Sequence, residues 1–212
     1  MQPLARLTIT SEQYLAAERK APYKSELVNG HVYAMAGARR EHNQITFNIA
    51  RELGVRLRDR PCTAYVSDLR VKVAATGLYT YPDVVALCGE ALFEDSTLDT
   101  LLNPQVLIEV LSESTEAYDR GDKFAHYRRL PSLSDYVLIA QDKVRIEHYV
   151  RQGQQWVLSE ADDRHDTIQI ASIGCALVLR DVYDKVDFAR ADGTETVPRG
   201  RAPTADADPR GA

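Results

Sequence analysis

The sequence has no run of apolar residues long enough to cross a membrane. Its 212 residues are 44% hydrophobic and 27% charged, which are ordinary proportions for a globular domain, whereas a spanning helix needs roughly 20 consecutive apolar residues. Residues 1–6 also lack the apolar core of a secretory signal peptide. We therefore expect a cytoplasmic protein with no membrane partner.

Cysteine is scarce. The three cysteines are Cys62, Cys88 and Cys175, and they are far apart, odd in number and without a Cys-x-x-Cys pair. This spacing predicts neither a disulfide framework nor a zinc site. We expect all three to be small core residues.

The sequence also lacks an excess of basic residues. It has 26 Lys and Arg against 31 Asp and Glu, a net charge of −5, which argues against binding nucleic acid through general positive charge. A nuclease remains compatible with this balance, because divalent cations reverse the sign of an acidic site. Basic residues are concentrated locally in two clusters, either of which could equally be a solvated helix face: Arg51, Arg56, Arg58 and Arg60, and Arg120, Lys123, Arg128 and Arg129.

Periodic patterns predict helices among short strands. Thr10 and Gln13 form a capping box before a helix over residues 11–19, and apolar residues at helical spacing predict a second helix over 41–58. Asn29-Gly30 predicts a type I′ turn between strands at 23–28 and 31–35. Further elements are a half-buried strand at 68–73, a helix over 119–130, a hairpin of 134–140 with 144–150, and strands near 156 and 175–180.

The chain divides into one domain and a tail. Residues 1–190 carry all the periodic patterns, whereas residues 191–212 are rich in Ala, Gly, Pro and charged residues and poor in apolar ones. A segment of that composition buries too little apolar surface to order itself. We expect a single domain over 1–190 and a flexible C-terminal tail over 191–212.

Two acids occur in otherwise apolar strands. Glu109 lies within the run Val106–Leu111, and Asp83 opens the run 83–87; both runs are typical of strands covered on both faces. Burying a charged carboxylate in a dry core costs about several kcal/mol unless the carboxylate is paired or bound to a metal. These acids therefore indicate a functional site, with pairing to a buried Arg or to backbone donors as the alternative for Glu109.

Two acids and an amine suit metal-assisted phosphodiester hydrolysis. Mg²⁺ is held by one or two carboxylates, keeps several waters and takes phosphate as a further ligand. A lysine ammonium can orient the attacking water or stabilise charge on the phosphate oxygens. Asp83, Glu109 and Lys123 are the candidates for these roles, and Mn²⁺ is the expected substitute for Mg²⁺.

The same residues resemble a known family. Tyr81-Pro82-Asp83, Ile108–Ser112 and Tyr118–Phe124 with Tyr127 are similar to the widespread bacterial family called "putative restriction endonuclease", within the PD-(D/E)XK nuclease superfamily. The resemblance extends from the helix near residue 11 through the hairpin after Tyr136. It implies a restriction-endonuclease-like α/β (α+β) fold: a mixed central β-sheet flanked by helices, with additional hairpins.

The sequence departs from the plain superfamily motif at one position. Asp83 and Glu109 match the two acids, but Leu111 stands where a lysine is expected. Members of this family resemble one another in carrying the lysine on the following helix, a position that Lys123 fits. The alternative is an ordinary helix lysine whose ammonium extends to solvent.

Several further residues are candidates for supporting roles. The Val110 carbonyl is a candidate third metal ligand. Glu26 matches a family glutamate and is either a further ligand or a solvent-facing strand residue. His42 either contacts phosphate or a metal-bound water, or is a satisfied histidine at a helix start. Asp119 is interpreted as a helix cap and Tyr127 as packing that sets the approach of Lys123.

These observations predict a Mg²⁺-dependent endonuclease that hydrolyses phosphodiester bonds. DNA is the expected substrate, with RNA left open, and a homodimer is favoured because cutting both strands takes two sites. The alternative is a catalytically weak or inactive nucleic-acid-binding or assembly protein that keeps the nuclease fold.

Overall fold

The computed structural model describes residues 8–188, in which two β-sheets pack face to face. The helices are α1 (Ser11–Glu18), α2 (Arg40–Arg56), α3 (Glu116–Tyr118), α4 (Phe124–Tyr127) and α5 (Leu179–Val182), with a π-helical turn (Asp119–Lys123) joining α3 to α4 and a 3₁₀ turn (Ala171–Ile173). The strands are β1 (Ser25–Val28), β2 (His31–Ala34), β3 (Cys62–Val66), β4 (Arg70–Val73), β5 (Leu78–Thr80), β6 (Val84–Cys88), β7 (Thr100–Leu101), β8 (Val106–Leu111), β9 (Asp135–Ala140), β10 (Ile146–Gln152), β11 (Gln155–Ala161), β12 (Thr167–Ile170) and β13 (Cys175–Val178).

The larger sheet is mixed. Its six strands follow the order β11-β10-β9-β8-β6-β3, and only the central pair β8 and β9 runs parallel. Every residue of β8 and β9 is buried, as expected for strands covered on both faces. The smaller sheet has the order β2-β1-β5-β4-β7, and β12 and β13 form a separate pair.

Helix α2 covers one face of the larger sheet. Its residues Ile45, Ile49 and Leu53 are fully buried and belong to one apolar cluster with Val84 and Ile108. The helical spacing of the three side chains places them on one stripe, and that stripe faces the alternate residues of β6 and β8. This helix also orients His42, in its first turn, toward the end of β6.

The smaller sheet and α4 cover the opposite face. Val85 and Leu107 from the larger sheet share an apolar cluster with Val71 of the smaller sheet and with Phe124 and Tyr127 of α4. Because side chains alternate along a strand, Glu109 points to the same side as Leu107. The site is therefore enclosed between the two sheets and the π-helical turn.

Most predicted elements are confirmed. Thr10 and Gln13 form the capping box of α1, and Asn29 and Gly30 adopt positive φ angles of 51° and 79° between β1 and β2. The mixed sheet with flanking helices and hairpins agrees with the predicted fold class. The predicted tail, 191–212, lies outside the described residues.

Two predictions about local structure are wrong. The helix predicted over 119–130 begins at Glu116 and contains the π-helical turn, so Asp119 is an interior residue and not its cap. Cys62 and Cys88 form a disulfide, because antiparallel β3 and β6 align them directly although 26 positions separate them in sequence. Cys175 is a buried free thiol, as predicted.

The described chain also contains elements that the patterns did not reveal. These are the strands β3, β5, β7 and β12 and the short helix α5, which follows directly after β13. Between residues 8 and 188, no helix combines the length and apolar character needed to cross a membrane.

Candidate active site

The register of β6 and β8 places the two strand acids side by side. Val84 pairs with Ile108 at the end of the ladder, so one further step sets Asp83 opposite Glu109. Directly opposed residues of antiparallel strands share a face of the sheet. The Val110 N–H donates a hydrogen bond to Asp83 Oδ2 at 2.7 Å. This bond holds the Asp83 carboxylate at the N-terminal end of β6, directly before Val84.

His42 reaches the same carboxylate from the other side. Its Nε2 lies 3.2 Å from Asp83 Oδ2, while its Nδ1 is buried and makes no hydrogen bond within the described chain. The first turn of α2 thus contributes an imidazole to the acid pair. The sequence placed His42 on the inward face of this helix, and the structure confirms that placement.

Lys123 lies among three carboxylates. Its Nζ is 3.0 Å from Glu109 Oε1, 3.3 Å from Asp119 Oδ1 and 3.4 Å from Glu26 Oε1. The lysine is only 5% exposed and Glu109 only 4%. We refer to Glu26, Glu109, Asp119 and Lys123 as the acid-lysine cluster.

The π-helical turn explains how two residues of this cluster come from one short segment. Asp119 and Lys123 begin and end the turn, and both are buried. A π-helical turn inserts an extra residue into a helix and is frequent at functional sites. Here it directs both side chains into the space beneath the smaller sheet.

Hydroxyl groups hold the carboxylates in place. Tyr127 donates a 2.8 Å hydrogen bond to Glu109 Oε1, and Thr80 donates one to Glu26. Tyr136 donates to the backbone carbonyl of Asp119 at 3.0 Å. The cluster is therefore built on rigid strands and a packed helix, which is the arrangement that gives precise sites.

The cluster holds more negative than positive formal charge. Burial raises the pKa of Glu109 to about 8, and the neighbouring Asp119 and Asp83 add to this effect against the opposing Lys123 ammonium. Burial likewise raises the pKa of Asp119. Burial alone would lower the pKa of Lys123, but Glu109, followed by Tyr127, Glu26 and Asp119, raises it well above its ordinary value. The site therefore favours uptake of further positive charge.

The donor atoms suit a hard divalent cation. Within residues 8–188, no three or more His, Cys, Asp or Glu side chains form a ready-made metal site. Mg²⁺ needs only one or two carboxylates, with waters and phosphate completing the shell. Asp83 and Glu109, opposed across two strands, meet that smaller requirement.

The structure decides several of the alternatives left open by the sequence. Glu109 is paired with Lys123 and Tyr127 and, within residues 8–188, with no arginine. Glu26 is buried and does not face solvent, and the Lys123 ammonium points inward. Tyr127 packs in the core, as predicted, and is also a hydrogen-bond donor to Glu109.

Sequence reasoning missed two members of the site. Asp119 was interpreted as a cap, although its spacing of four from Lys123 is the same as that between Lys123 and Tyr127 and predicts a shared helix face. Tyr118 lies beside the cluster, with Lys123 Nζ 5.8 Å from its ring, and its buried hydroxyl makes no hydrogen bond among the described residues. Tyr118 opens one of the segments that carry the family resemblance, but nothing in that segment assigned it a role.

Comparison with known proteins gives one family. The model of the Uma2 family, described as "Putative restriction endonuclease", matches residues 11–180. Two proteins of Synechocystis sp. (strain ATCC 27184 / PCC 6803 / Kazusa) are similar in sequence. Uncharacterized protein sll1609 is 40% identical over 72% of this chain and 86% of its own length. Uncharacterized protein slr1290 is 32% identical over 85% of this chain and 94% of its own.

A solved structure shares the fold. The crystal structure of a putative nuclease belonging to DUF820 from Anabaena variabilis ATCC 29413 superposes with a TM-score of 0.69, covering 82% of this chain and 97% of that one, at 17% sequence identity. At this identity the likeness shows the fold alone, and it supports the restriction-endonuclease-like architecture.

Proposed function

This chain belongs to the Uma2 family of "putative restriction endonucleases", and from that premise we propose that it is a Mg²⁺-dependent endonuclease that hydrolyses phosphodiester bonds in DNA. The observation that carries the proposal is the buried acid-lysine cluster beside Asp83, with Asp83 opposite Glu109. A buried surplus of carboxylates is costly in a protein without a bound cation. A site that binds a divalent metal and a phosphate gains from that same surplus.

Three groups would hold the metal. Asp83 and Glu109 offer carboxylates from adjacent strands, and Val110 lies beside both. In an antiparallel ladder the N–H and C=O of one residue point to the same side. The Val110 N–H points to Asp83, so its carbonyl points toward the same space past the end of β6. When bound, Mg²⁺ would activate a water and neutralise charge on the phosphate.

Lys123 would supply the positive charge that the plain superfamily motif places at position 111. Leu111 cannot do so, whereas the Lys123 ammonium lies 3.0 Å from Glu109. Only the position of the ammonium in space matters for stabilising phosphate oxygens. Tyr127 orients Glu109 through its hydroxyl, and His42 stands next to Asp83, where it can hold a water or a phosphate oxygen.

One observation favours a second candidate. Glu109 Oε1 already accepts the Tyr127 hydroxyl and contacts Lys123, as in a site that is neutralised internally. A nuclease fold that binds nucleic acid without cutting it would keep this arrangement. The two functions differ in whether a metal enters the cluster, so titration of the protein with Mg²⁺ or Mn²⁺ by calorimetry separates them.

A cleavage assay tests the proposal. Supercoiled and linear DNA, and RNA of matched length, are incubated with the protein and Mg²⁺ or Mn²⁺, and compared with Asp83→Asn and Glu109→Gln. We expect metal-dependent cutting of DNA that both variants lose. Asp122→Asn is the matched control, because Asp122 lies on the same π-helical turn but is exposed.

Three results would count against this function. Cutting that persists in both variants would remove the proposed site, and cutting of RNA alone would remove the DNA assignment. The absence of metal binding would favour the non-cutting alternative. We also propose that two copies act together on the two strands, which light scattering in the presence of DNA would test.

A further inference from the structure

Strand β2 forms an edge of the smaller sheet and carries an exposed aromatic ring. Among the described strands it pairs with β1 alone, and three of its four residues are exposed. Tyr33 is 49% exposed. Within residues 8–188 its ring stacks on no other aromatic side chain and its hydroxyl makes no hydrogen bond. The ring is therefore open to a ligand from outside the chain.

The register of the β1–β2 hairpin places this ring on the active-site side of the sheet. Tyr33 is aligned with Glu26, and directly opposed residues of antiparallel strands share a face, with Cβ atoms about 4.5–5.5 Å apart. The Glu26 carboxylate faces the π-helical turn, since its Oε1 lies 3.4 Å from Lys123 Nζ. Tyr33 therefore stands at the rim of the acid-lysine cluster, one strand further out than Glu26.

The opposite face of the same hairpin is turned away from the site. Leu27 packs there against Tyr14 of α1 and Tyr79 of β5, and Val32 is aligned with Leu27. Val32 and Tyr33 are both exposed, but only Tyr33 shares the face of Glu26. The exposed surface of Tyr33 thus belongs to the side on which the site lies.

A continuous chain of contacts leads from this strand to the proposed metal site. Glu26, the ladder partner of Tyr33, lies 3.4 Å from Lys123. Lys123 lies 3.0 Å from Glu109, which stands opposite Asp83. A phosphate held at Asp83 and Glu109 leaves the next nucleotide of the strand within reach of Tyr33.

The segment after β2 borders the same site. Residues 36–40 are exposed and lead into α2, whose first turn holds His42 3.2 Å from Asp83. No other helix or strand lies between β2 and α2 in the described chain. One short stretch of chain thus supplies both the Tyr33 ring and the His42 imidazole to the surroundings of the acid pair.

An exposed ring beside a phosphodiester site matches the planar part of a nucleotide. Aromatic side chains stack on the bases of single strands, and this contact tolerates every base because each base has a π-face. Inside an intact duplex each base is already paired and stacked, and turning it out sacrifices those contacts. Tyr33 therefore suits an unpaired base.

We propose that Tyr33 stacks on a nucleobase next to the scissile phosphate, so that the preferred substrate is DNA that is single-stranded or locally unpaired at the cut. The inference rests on the proposed function and adds to it a substrate class and a substrate-binding residue. The Tyr33 ring supplies the contact, and its hydroxyl is not needed for it.

Binding of single-stranded DNA tests the stacking. Oligonucleotides that carry a fluorescent adenine analogue, whose emission falls on stacking, are titrated with Ca²⁺ in place of Mg²⁺. The wild-type protein should bind the single strand more tightly than the matched duplex. Tyr33→Leu should weaken binding by about 5- to 160-fold, the range for one base–aromatic stack, and should abolish the fall in emission. Tyr33→Phe, which keeps the ring, should retain both.

Phe47→Leu is the matched control, since Phe47 is an aromatic residue of α2 that is 61% exposed, and it should bind and quench as the wild type does. Melting temperatures report whether each variant folds, and light scattering reports whether the β2 edge joins a second copy. Unchanged binding and quenching in folded Tyr33→Leu, an equal loss in Phe47→Leu, or a Tyr33→Leu effect on molecular mass alone would overturn the proposal.

The same titrations keep this inference separate from catalysis. If the wild-type protein stacks on the base analogue through Tyr33 but cuts nothing with Mg²⁺ or Mn²⁺, the nuclease function fails and the stacking stands. If it cuts DNA while Tyr33→Leu binds and quenches like the wild type, the stacking fails and the nuclease function stands. If it binds no DNA, both fail.

Discussion

The Lys123 ammonium lies 3.0 Å from the Glu109 carboxylate, and this contact brings the π-helical turn onto strand β8. Burial disfavours the charge on each, but each also favours the charge on the other. A change at either residue therefore alters the protonation of its partner.

Replacement of Lys123 by methionine should separate stability from catalysis. The variant keeps most of the side-chain volume but leaves Glu109, Asp119 and Glu26 without their ammonium. We expect a loss of about 3–5 kcal/mol at neutral pH, the usual cost of removing one partner of a buried pair, and a smaller loss at pH 5, where the acids can protonate. Metal-dependent cleavage should fall by about 10²-fold or more.

Chemical denaturation at pH 5 and pH 7.5, together with the cleavage rate, checks this prediction. Lys20→Met is the control, since Lys20 is exposed at the end of α1. Adding Leu111→Lys to Lys123→Met should restore part of the rate if the position of the ammonium is what matters. Wild-type cleavage in Lys123→Met alone would make Lys123 a structural residue.

The raised pKa of Glu109 predicts how stability depends on pH. The folded state holds this proton up to about pH 8, whereas the unfolded state releases it near the ordinary value of 4.5. Between these two values the folded protein binds more protons, so its contribution to the free energy of unfolding is fully present below pH 4.5 and is lost as pH rises through 8. The slope for one proton is at most about 1.4 kcal/mol per pH unit.

Glu109→Gln removes the titratable proton that the folded state binds and the unfolded state releases. We expect its free energy of unfolding to fall less steeply than that of the wild type between pH 5 and pH 8, as measured by urea denaturation at several pH values. Glu113→Gln, which changes an exposed acid after β8, should follow the wild type. Parallel curves for Glu109→Gln and wild type would show that Glu109 titrates normally.

Metal binding should release protons. A carboxylate must be deprotonated to bind Mg²⁺, and Glu109, with a pKa of about 8, carries its proton at pH 7. Calorimetric titration with Mg²⁺ or Mn²⁺ in buffers of different ionisation enthalpy should therefore report about one proton released per ion. The apparent affinity should rise with pH until Glu109 is ionised. Binding without proton release would place the ion elsewhere.

The Tyr127 hydroxyl should lower the pKa of Glu109. Tyr127→Phe deletes the 2.8 Å hydrogen bond to this carboxylate and keeps the buried ring. That bond lowers the pKa of Glu109, so the variant should bind metal more weakly at pH 7 and should lose about 0.5–1.5 kcal/mol of stability there, the usual value for a hydrogen bond to an uncharged group. Tyr149→Phe is the control: Tyr149 packs against Phe124, and its hydroxyl makes no hydrogen bond within the described part of the chain. Equal effects of Tyr127→Phe and Tyr149→Phe on metal affinity and stability would contradict an effect of the Tyr127 hydroxyl on the pKa of Glu109.

DNA binding should weaken as salt rises, because neutralising phosphates releases counterions. Arg39, at the N-terminus of α2, is exposed and lines a surface cavity together with Leu111 and Arg120. Arg39→Gln should reduce the slope of log affinity against log salt by about 1 if it contacts a phosphate. Arg58→Gln, beyond the other end of α2, should leave the slope unchanged. Affinity that is indifferent to salt would argue against phosphate contacts.

Local patterns predicted much of the fold correctly. The capping box of α1, the Asn29-Gly30 turn and the inward stripe of α2 depend on residues close together in sequence, and each is present. The two strand acids were identified for a similar reason, since a charged residue within a buried apolar run is conspicuous in the sequence itself. The role of these acids in catalysis stays a prediction.

The features that the sequence patterns did not predict depend on contacts between segments that are distant in the chain. The disulfide of Cys62 with Cys88 follows from the pairing of β3 with β6, and the burial of Glu26 from the packing of the smaller sheet over Lys123.

The sequence by itself determined most of the helices and longer strands and the two strand acids, because helical and strand periodicities and the cost of a buried charge are local properties, and the family resemblance added the candidate lysine. Only the tertiary structure decided that Asp119 joins the cluster through a π-helical turn and that Glu26 reaches Lys123 from the smaller sheet. Both facts arise from packing between segments far apart in the chain, whose residues share one low-dielectric space and set one another's charge.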